Sequence, residues 1–242
     1  ATTTWYVGDT TNVITWEQSG SNTAGINITN VKIEYKCGTD PYSSGLIVAS
    51  DPLHVDSPPN QTYTWATGIP DKKANDCKIQ LTDVNNTAHT LESSPFTIAP
   101  RITNVTMVGA GGDPNGVWRA EATNQSVTWT DTSASVTAVD IFLSTGGVGG
   151  FTGCASPNCF QLATAAASTV NGSNSASGIA LPAPAFVGTN AMVRVQDASA
   201  TYVKGDSPQS KILGKITPVA FTNSNVMIGS TNTLIKWNKT GT

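Results

Sequence analysis

Asn12-Val13-Ile14-Thr15-Trp16 returns twice along the chain, as Gln125-Ser126-Val127-Thr128-Trp129 and as Thr233-Leu234-Ile235-Lys236-Trp237, first 113 and then a further 108 residues on. Each stretch is rich in strand-forming side chains and closes on tryptophan. Agreement extends outward from it. Tyr6-Val7-Gly8 resembles Met227-Ile228-Gly229, and Trp5 falls opposite Trp118. Val31-Lys32-Ile33-Glu34-Tyr35 resembles Val139-Asp140-Ile141-Phe142-Leu143, and Ile79-Gln80-Leu81-Thr82-Asp83 resembles Val193-Arg194-Val195-Gln196-Asp197. Ser94-Pro95 is matched with Ser207-Pro208. Self-similarity at a fixed period of about 110 residues is the mark of a tandem array. The chain of 242 residues holds two copies and the opening of a third.

Within a copy, short strands alternate between turn clusters. In Val31 to Tyr35, residues 31, 33 and 35 point one way, and Lys32 and Glu34 point to the solvated side. No stretch sustains a helical period; Ala163–Ala167 runs into Ser, Thr, Asn and Gly and reads as strand or loop. Regular short strands over about 100 residues with a buried Trp predict an all-β fold of tandem immunoglobulin-like β-sandwich domains. The expected boundaries are 1–99 for a first sandwich, 100–213 for a second carrying an inserted Gly-rich loop at Gly146–Gly153, and 214–242 for the start of a third repeat or a donated strand segment.

Composition agrees. Only 12% of residues are charged, polar bulk comes from Thr, Ser and Asn, and Gly (22) and Pro (13) supply turns. The net charge of −3 lacks the basic face that nucleic-acid binding needs. No apolar run approaches a transmembrane segment of about 20 residues. Residue 1 is Ala and no signal peptide is present, so either a leader has been removed or this is part of a longer chain.

The pattern W-x-x-G…[IV]-x-W, V-x-I-x-[LYF], Y-T-W and C-K-I-Q-L-T-D…S-S-P-F-T-I resembles the KNH-like repeat, also called the Ser-Thr-rich GPI-anchored domain of fungal wall and microbial surface proteins. It is carried by Trp5, Gly8, Ile14, Trp16, Val31, Ile33, Tyr35, Tyr63, Trp65, Cys77, Ile79, Leu81, Asp83, Ser94, Pro95, Phe96 and Ile98. The second copy departs from it, because Tyr63-Thr64-Trp65 has no counterpart around Ser177-Gly178-Ile179. The resemblance implies a fold and a surface location, and no catalytic residues.

Arg101–Val108 reads as a first strand ahead of Trp118, and Lys215–Phe221 as its counterpart in the third copy. Only Ala1–Thr4 precede Trp5. The first domain is therefore expected to lack a strand that the tail has to spare. An open sheet edge is a template for a further strand, and a head-to-tail contact of this kind gives a fibre. The expected assembly strand comprises Ile216, Val219, Phe221, Leu234 and Trp237, donated to another copy. The competing expectation is an ordinary third domain continuing past residue 242.

Four cysteines in a low-charge β-rich chain predict two disulfides, Cys37–Cys77 and Cys154–Cys159, and an oxidising compartment. Neither His54 nor His89 has metal-like spacing to a cysteine, so a zinc site is disfavoured and no cofactor or metal is expected. N-x-S/T sequons stand at Asn27, Asn60, Asn85, Asn104, Asn124, Asn171 and Asn238, and are read either as a glycosylated surface or as the yield of an Asn/Ser/Thr-rich composition. Enzymatic motifs are absent. The two histidines sit in polar, turn-like surroundings, and Glu17, Glu34, Glu92 and Glu121 show no paired-carboxylate pattern. Glu34 reads as solvated, and the Gly-rich loops as hairpin tips. A polysaccharide platform would draw on Trp5, Trp65 or Trp118; Trp65 is the one unmatched between copies, whereas Trp16, Trp129 and Trp237 read as core.

The reading is an extracellular, non-enzymatic structural repeat protein of a cell-surface filament, sheath or stalk, self-assembling head to tail and joined through Ala99-Pro100 and Gly214-Lys215. The alternatives are an adhesion or carbohydrate-binding module, or a non-catalytic part of a larger secreted enzyme.

Overall fold

Runs of Val, Ile and Thr between Gly, Pro and Asn turns form short strands, because branched side chains pack on a pleated surface and turn residues end each run. The computed structural model describes residues 3–17, 28–52, 60–110, 113, 116–120, 122–152, 154, 159–181, 187–218 and 237–240. The chain divides into two compact units. The first is Ala1–Arg101 with Thr132–Ser135; the second is Ile102–Asp131 with Val136–Thr242.

The first unit contains β1 (Thr4–Tyr6), β2 (Val13–Glu17), β3 (Asn30–Lys36), β4 (Leu46–Pro52), β5 (Asn60–Thr64), β6 (Ala74–Asp83), β7 (Thr90–Glu92) and β8 (Phe96–Ala99). One sheet runs β1-β8-β6-β3-β4 with β7 on β6, and the other is the pair β2-β5. The layers close over Ile14, Ile33, Trp65, Ile79, Phe96 and Ile98. Trp65 stands edge-on to Trp5 at 5.9 Å and tilted against Tyr35 at 5.1 Å.

The second unit repeats this plan with β9 (Ile102–Val108), β10 (Val117–Arg119), β11 (Gln125–Asp131), β12 (Ala138–Ser144), β13 (Cys159–Ala167), β14 (Asn174–Ile179), β15 (Gly188–Asp197), β16 (Lys204–Asp206) and β17 (Ser210–Leu213). Its large sheet runs β10-β17-β15-β12-β13 with β16 on β15. Its small sheet has three strands, β14-β11-β9. A two-stranded hairpin follows, β18 (Lys215–Pro218) with β19 (Trp237–Thr240).

The two large sheets share a register. Val31 faces Asp83 as Val139 faces Asp197, and Trp5 lies beside Ile98, in parallel, as Trp118 lies beside Ile212. The fold is all-β, in immunoglobulin-like sandwiches. Alternation is cleanest in β11, whose odd-numbered residues are all buried, and in β15 from Ala191 onward. Ala163–Ala167 is the end of a strand.

Four expectations need correction. Ser94-Pro95 and Ser207-Pro208 are one residue out of step. The Ser93 and Ser207 hydroxyls hold the backbone N–H of Ile79 and Val193 respectively, so Ser93 is the counterpart of Ser207. Glu34 is not solvated but 6% exposed, because β3 is an interior strand and Lys32, two residues along the same face, covers it at 2.9 Å. The Gly-rich insert is no plain hairpin tip; Gly147–Phe151 forms a 3-10 turn that buries Phe151 beneath the Arg194 guanidinium, 4.2 Å from the ring. At the expected junction Ala99-Pro100, Ala99 closes β8, both residues are buried, and the next residue, Arg101, grips Asp9 through two hydrogen bonds of 2.8 and 2.9 Å. Finally, the recurring Trp is not uniformly core. Trp129 is 1% exposed, Trp16 is half-buried and Trp237 is 60% exposed.

Candidate strand-docking slot

The small sheets are where the units differ, and β9 is the difference. In the second unit β9 pairs antiparallel with β11, placing Thr103 opposite Thr130 and Ile102 opposite Asp131. Its Ile102, Val105 and Met107 side chains are 5%, 3% and 1% exposed. At Ile102 the strand passes flush against β16. A Cβ built on Gly205 would lie 2.2 Å from the Ile102 carbonyl oxygen, so only glycine fits there. Beneath this crossing, the Trp129 indole N–H donates to Ser168 Oγ (2.9 Å), and that hydroxyl donates to the Asp131 carboxylate (2.5 Å). This buried network was not legible beforehand, because Ser168 reaches Asp131 from 37 residues away.

In the first unit β2 takes the place of β11, and among the described residues it pairs only with β5. Where β9 would cross lies a cavity of about 400 Å³, bounded by Trp16, Glu17, Val31, Leu81, Asp83 and Leu91. Leu91 is the register counterpart of Gly205, since Leu81 faces Leu91 as Val195 faces Gly205. It is 54% exposed. The cavity lining is mixed, with Trp16, Val31, Leu81 and Leu91 beside the polar Glu17, Asp83, His89 and Thr90. Asp83 takes the Asn85 N–H at 2.9 Å, with His89 Nδ1 3.7 Å away.

The hairpin supplies the matching feature. β18 pairs with β19 as β9 pairs with β11: Thr217 faces Asn238 and Ile216 faces Lys239, one repeat on from Thr103–Thr130 and Ile102–Asp131. Yet Ile216 is 72% exposed where Ile102 is buried. Of the expected assembly strand, Ile216 and Trp237 are brought together in this hairpin, while Val219, Phe221 and Leu234 lie outside the described residues.

The remaining candidates are distributed. Both disulfides form, Cys37–Cys77 and Cys154–Cys159. Cys37 and Cys77 directly continue the β3–β6 ladder beyond the Lys36–Lys78 pair, so the bond joins neighbouring strands of one sheet. Asn60, Asn85, Asn104, Asn124, Asn171 and Asn238 are exposed; Asn27 and His54 lie outside the described residues, as does Glu121. His89 is exposed, with its side chain 60% accessible. Of the three platform candidates, Trp65 is 2% and Trp118 0% exposed, filling the sandwich interiors, so neither presents a face to a sugar, while Trp5 is half-buried. Among the described residues no three His, Cys, Asp or Glu gather where a metal ion could be held. No helix among them is long and apolar enough to cross a membrane.

One charged cluster went unnoticed in sequence. Glu92 on β7 accepts from Lys78 Nζ and from the Tyr42 hydroxyl, both at 2.9 Å, with Lys36 4.6 Å over the Tyr42 ring. The Lys78 and Tyr42 hydrogen bonds hold the Glu92 carboxyl below the usual range, and burial followed by that carboxylate raises the Tyr42 phenol. Asp206 on β16 repeats the device with Arg194, at 2.7 and 2.8 Å.

No family model matches the chain, and no curated protein matches it. Among solved structures it is similar to a DUF3823 family protein from Bacteroides ovatus, at 11% identity and a TM-score of 0.28, covering 84% of this chain and 98% of that one. It is also similar to the fibronectin(III)-like modules of Clostridium thermocellum CbhA, at 13% identity and a TM-score of 0.23, covering 88% of this chain and 87% of that one.

Proposed function

We propose that this chain is an extracellular structural repeat protein of a cell-surface filament, sheath or stalk, whose copies join head to tail by strand addition. One observation carries the reading. Among the described residues no strand of the first sandwich takes the position that β9 fills in the second, a cavity lies there, and the same chain carries a β9-like strand whose Ile216 is 72% exposed. An exposed apolar residue and an open sheet edge on one molecule are self-complementary, and a heterologous contact between them repeats without closing. The two disulfides support an oxidising compartment, and the exposed sequons support a surface open to glycosylation. The KNH-like resemblance points the same way. No catalytic constellation enters the proposal; its mechanism is mechanical.

A second reading has its own observation: Trp16 lines the cavity beside Glu17 and Asp83, the aromatic-plus-carboxylate set that stacks and hydrogen-bonds a sugar. The two readings separate in solution. Sedimentation and electron microscopy of the purified protein over rising concentration should show end-to-end rods that Ile216→Asp abolishes. A protein that stays monomeric at every concentration would remove the filament reading.

A further inference from the structure

Strands β2, β11 and β19 occupy the same position in three successive copies of the repeat, and β9 and β18 occupy the position beside it. β18 keeps with β19 the pairing that β9 keeps with β11. Any strand able to pair with β19 in this register can therefore pair with β2. The occupant with the right register and side chains is β18 of a second copy of this chain. Resting on the filament reading above, we infer that β18 leaves β19 and pairs with β2 of a second copy, with Thr217 opposite Glu17, Ile216 seated over the Trp16–Leu81 cavity, and Leu91 as the residue that must give way.

Three considerations favour exchange over addition of the intact hairpin. Of the four hairpin pairs, those at Trp237 and Asn238 have described counterparts in β2, at Trp16 and Glu17, so backbone pairing is regained there and side-chain burial decides the direction. Ile216 stands to move from its exposed place into the counterpart of the site where Ile102 is 5% exposed. Charge agrees as well: Lys215 lies on β18, whereas Glu17 and Asp83 bound the slot.

Leu91 sets the strength. Against Gly205 the backbone of β9 lies flush, with no room for a Cβ. Leu91 puts a full side chain at that position, so β7 has to shift outward before a strand can seat. β7 is three residues long, exposed throughout, and paired to β6 alone among the described strands, so it is able to shift. Docking in the first unit is consequently weaker than the covalent arrangement in the second, and relieving Leu91 should tighten it.

The test mixes two copies of the full chain, one carrying Glu17→Cys and the other Thr217→Cys, under mild oxidation. The expected result is a disulfide between the two introduced thiols, located by peptide mass mapping, and lost with Ile216→Asp. Leu91→Gly should raise its yield about tenfold, the scale of a relieved overpacking contact. Leu91 and Ile216 are both exposed, so neither substitution should unfold the chain, which circular dichroism checks. Filaments of the unaltered protein without the 17–217 link would overturn the exchange and leave the filament reading standing. Unaltered protein that never assembles would overturn both. Saturable binding of a saccharide on a glycan array, abolished by Trp16→Ala and unaccompanied by the link, would assign the cavity to a sugar instead. Protection of the introduced residue-17 thiol from alkylation in unmixed monomer would show the slot filled within one polypeptide, and would also overturn the inference.

Discussion

Glu92 and Asp206 show how much a single carboxylate can organise, and how little of that is visible in one dimension. Each sits on a three-residue strand that is otherwise weakly held, and each ties that strand to a cation on the neighbouring long strand. The Glu92 pKa lies below its value in the unfolded chain, owing first to the Lys78 hydrogen bond and then to that of Tyr42. A depressed carboxylate stabilises the fold above its unfolded pKa, and that contribution is lost as pH falls through the folded value. Glu92→Gln should therefore lower the melting temperature near about pH 7, with the difference from wild type shrinking as the pH falls below the ordinary Glu value of about 4.3 and the folded carboxylate takes up its proton. The group is exposed, so the effect is small and salt-sensitive. A difference that grows on acidification would contradict the assignment.

Gly205 and Leu91 make the same point for elements. β7 and β16 share length, partner strand and register, yet one admits a crossing strand and the other faces a cavity. Gly205→Ala should destabilise the second unit by about 2–3 kcal/mol, as expected when a core position is overpacked, measured by urea unfolding, whereas Leu91→Gly should cost the first unit much less. The repeat itself was legible. The matches of Val31 with Val139 and of Ile79 with Val193 are reproduced as identical ladder pairings. The one-residue slip at Ser94-Pro95 arose where two serines in a row offered two alignments, and only the hydroxyl bonds to Ile79 and Val193 choose between them.

For the whole molecule, the units are stabilised unequally. Among the described residues the first has a two-stranded small sheet and the Cys37–Cys77 bond; the second has three strands there and no counterpart of that bond, since Ala191 takes the register place of Cys77. Closing a loop of 40 residues is worth about 4 kcal/mol on the chain-entropy account. Replacing both cysteines by Ala should lower the calorimetric transition of the first unit by more than about 15 °C and leave that of the second in place. Equal shifts in both would mean that the bond does not act locally. The sequence by itself determined the all-β class, the period, the strand-forming stretches and both cysteine pairs, because alternation, turn chemistry and spacing are local or simply countable properties. Only the tertiary structure decided that Glu34 is covered, that Trp65 is interior while Trp237 is exposed, and that among the described residues no counterpart of β9 crosses the first sandwich, where a cavity is edged by Leu91. Burial depends on which distant strand crosses overhead, and among the described residues that crossing strand is what separates two otherwise matching copies.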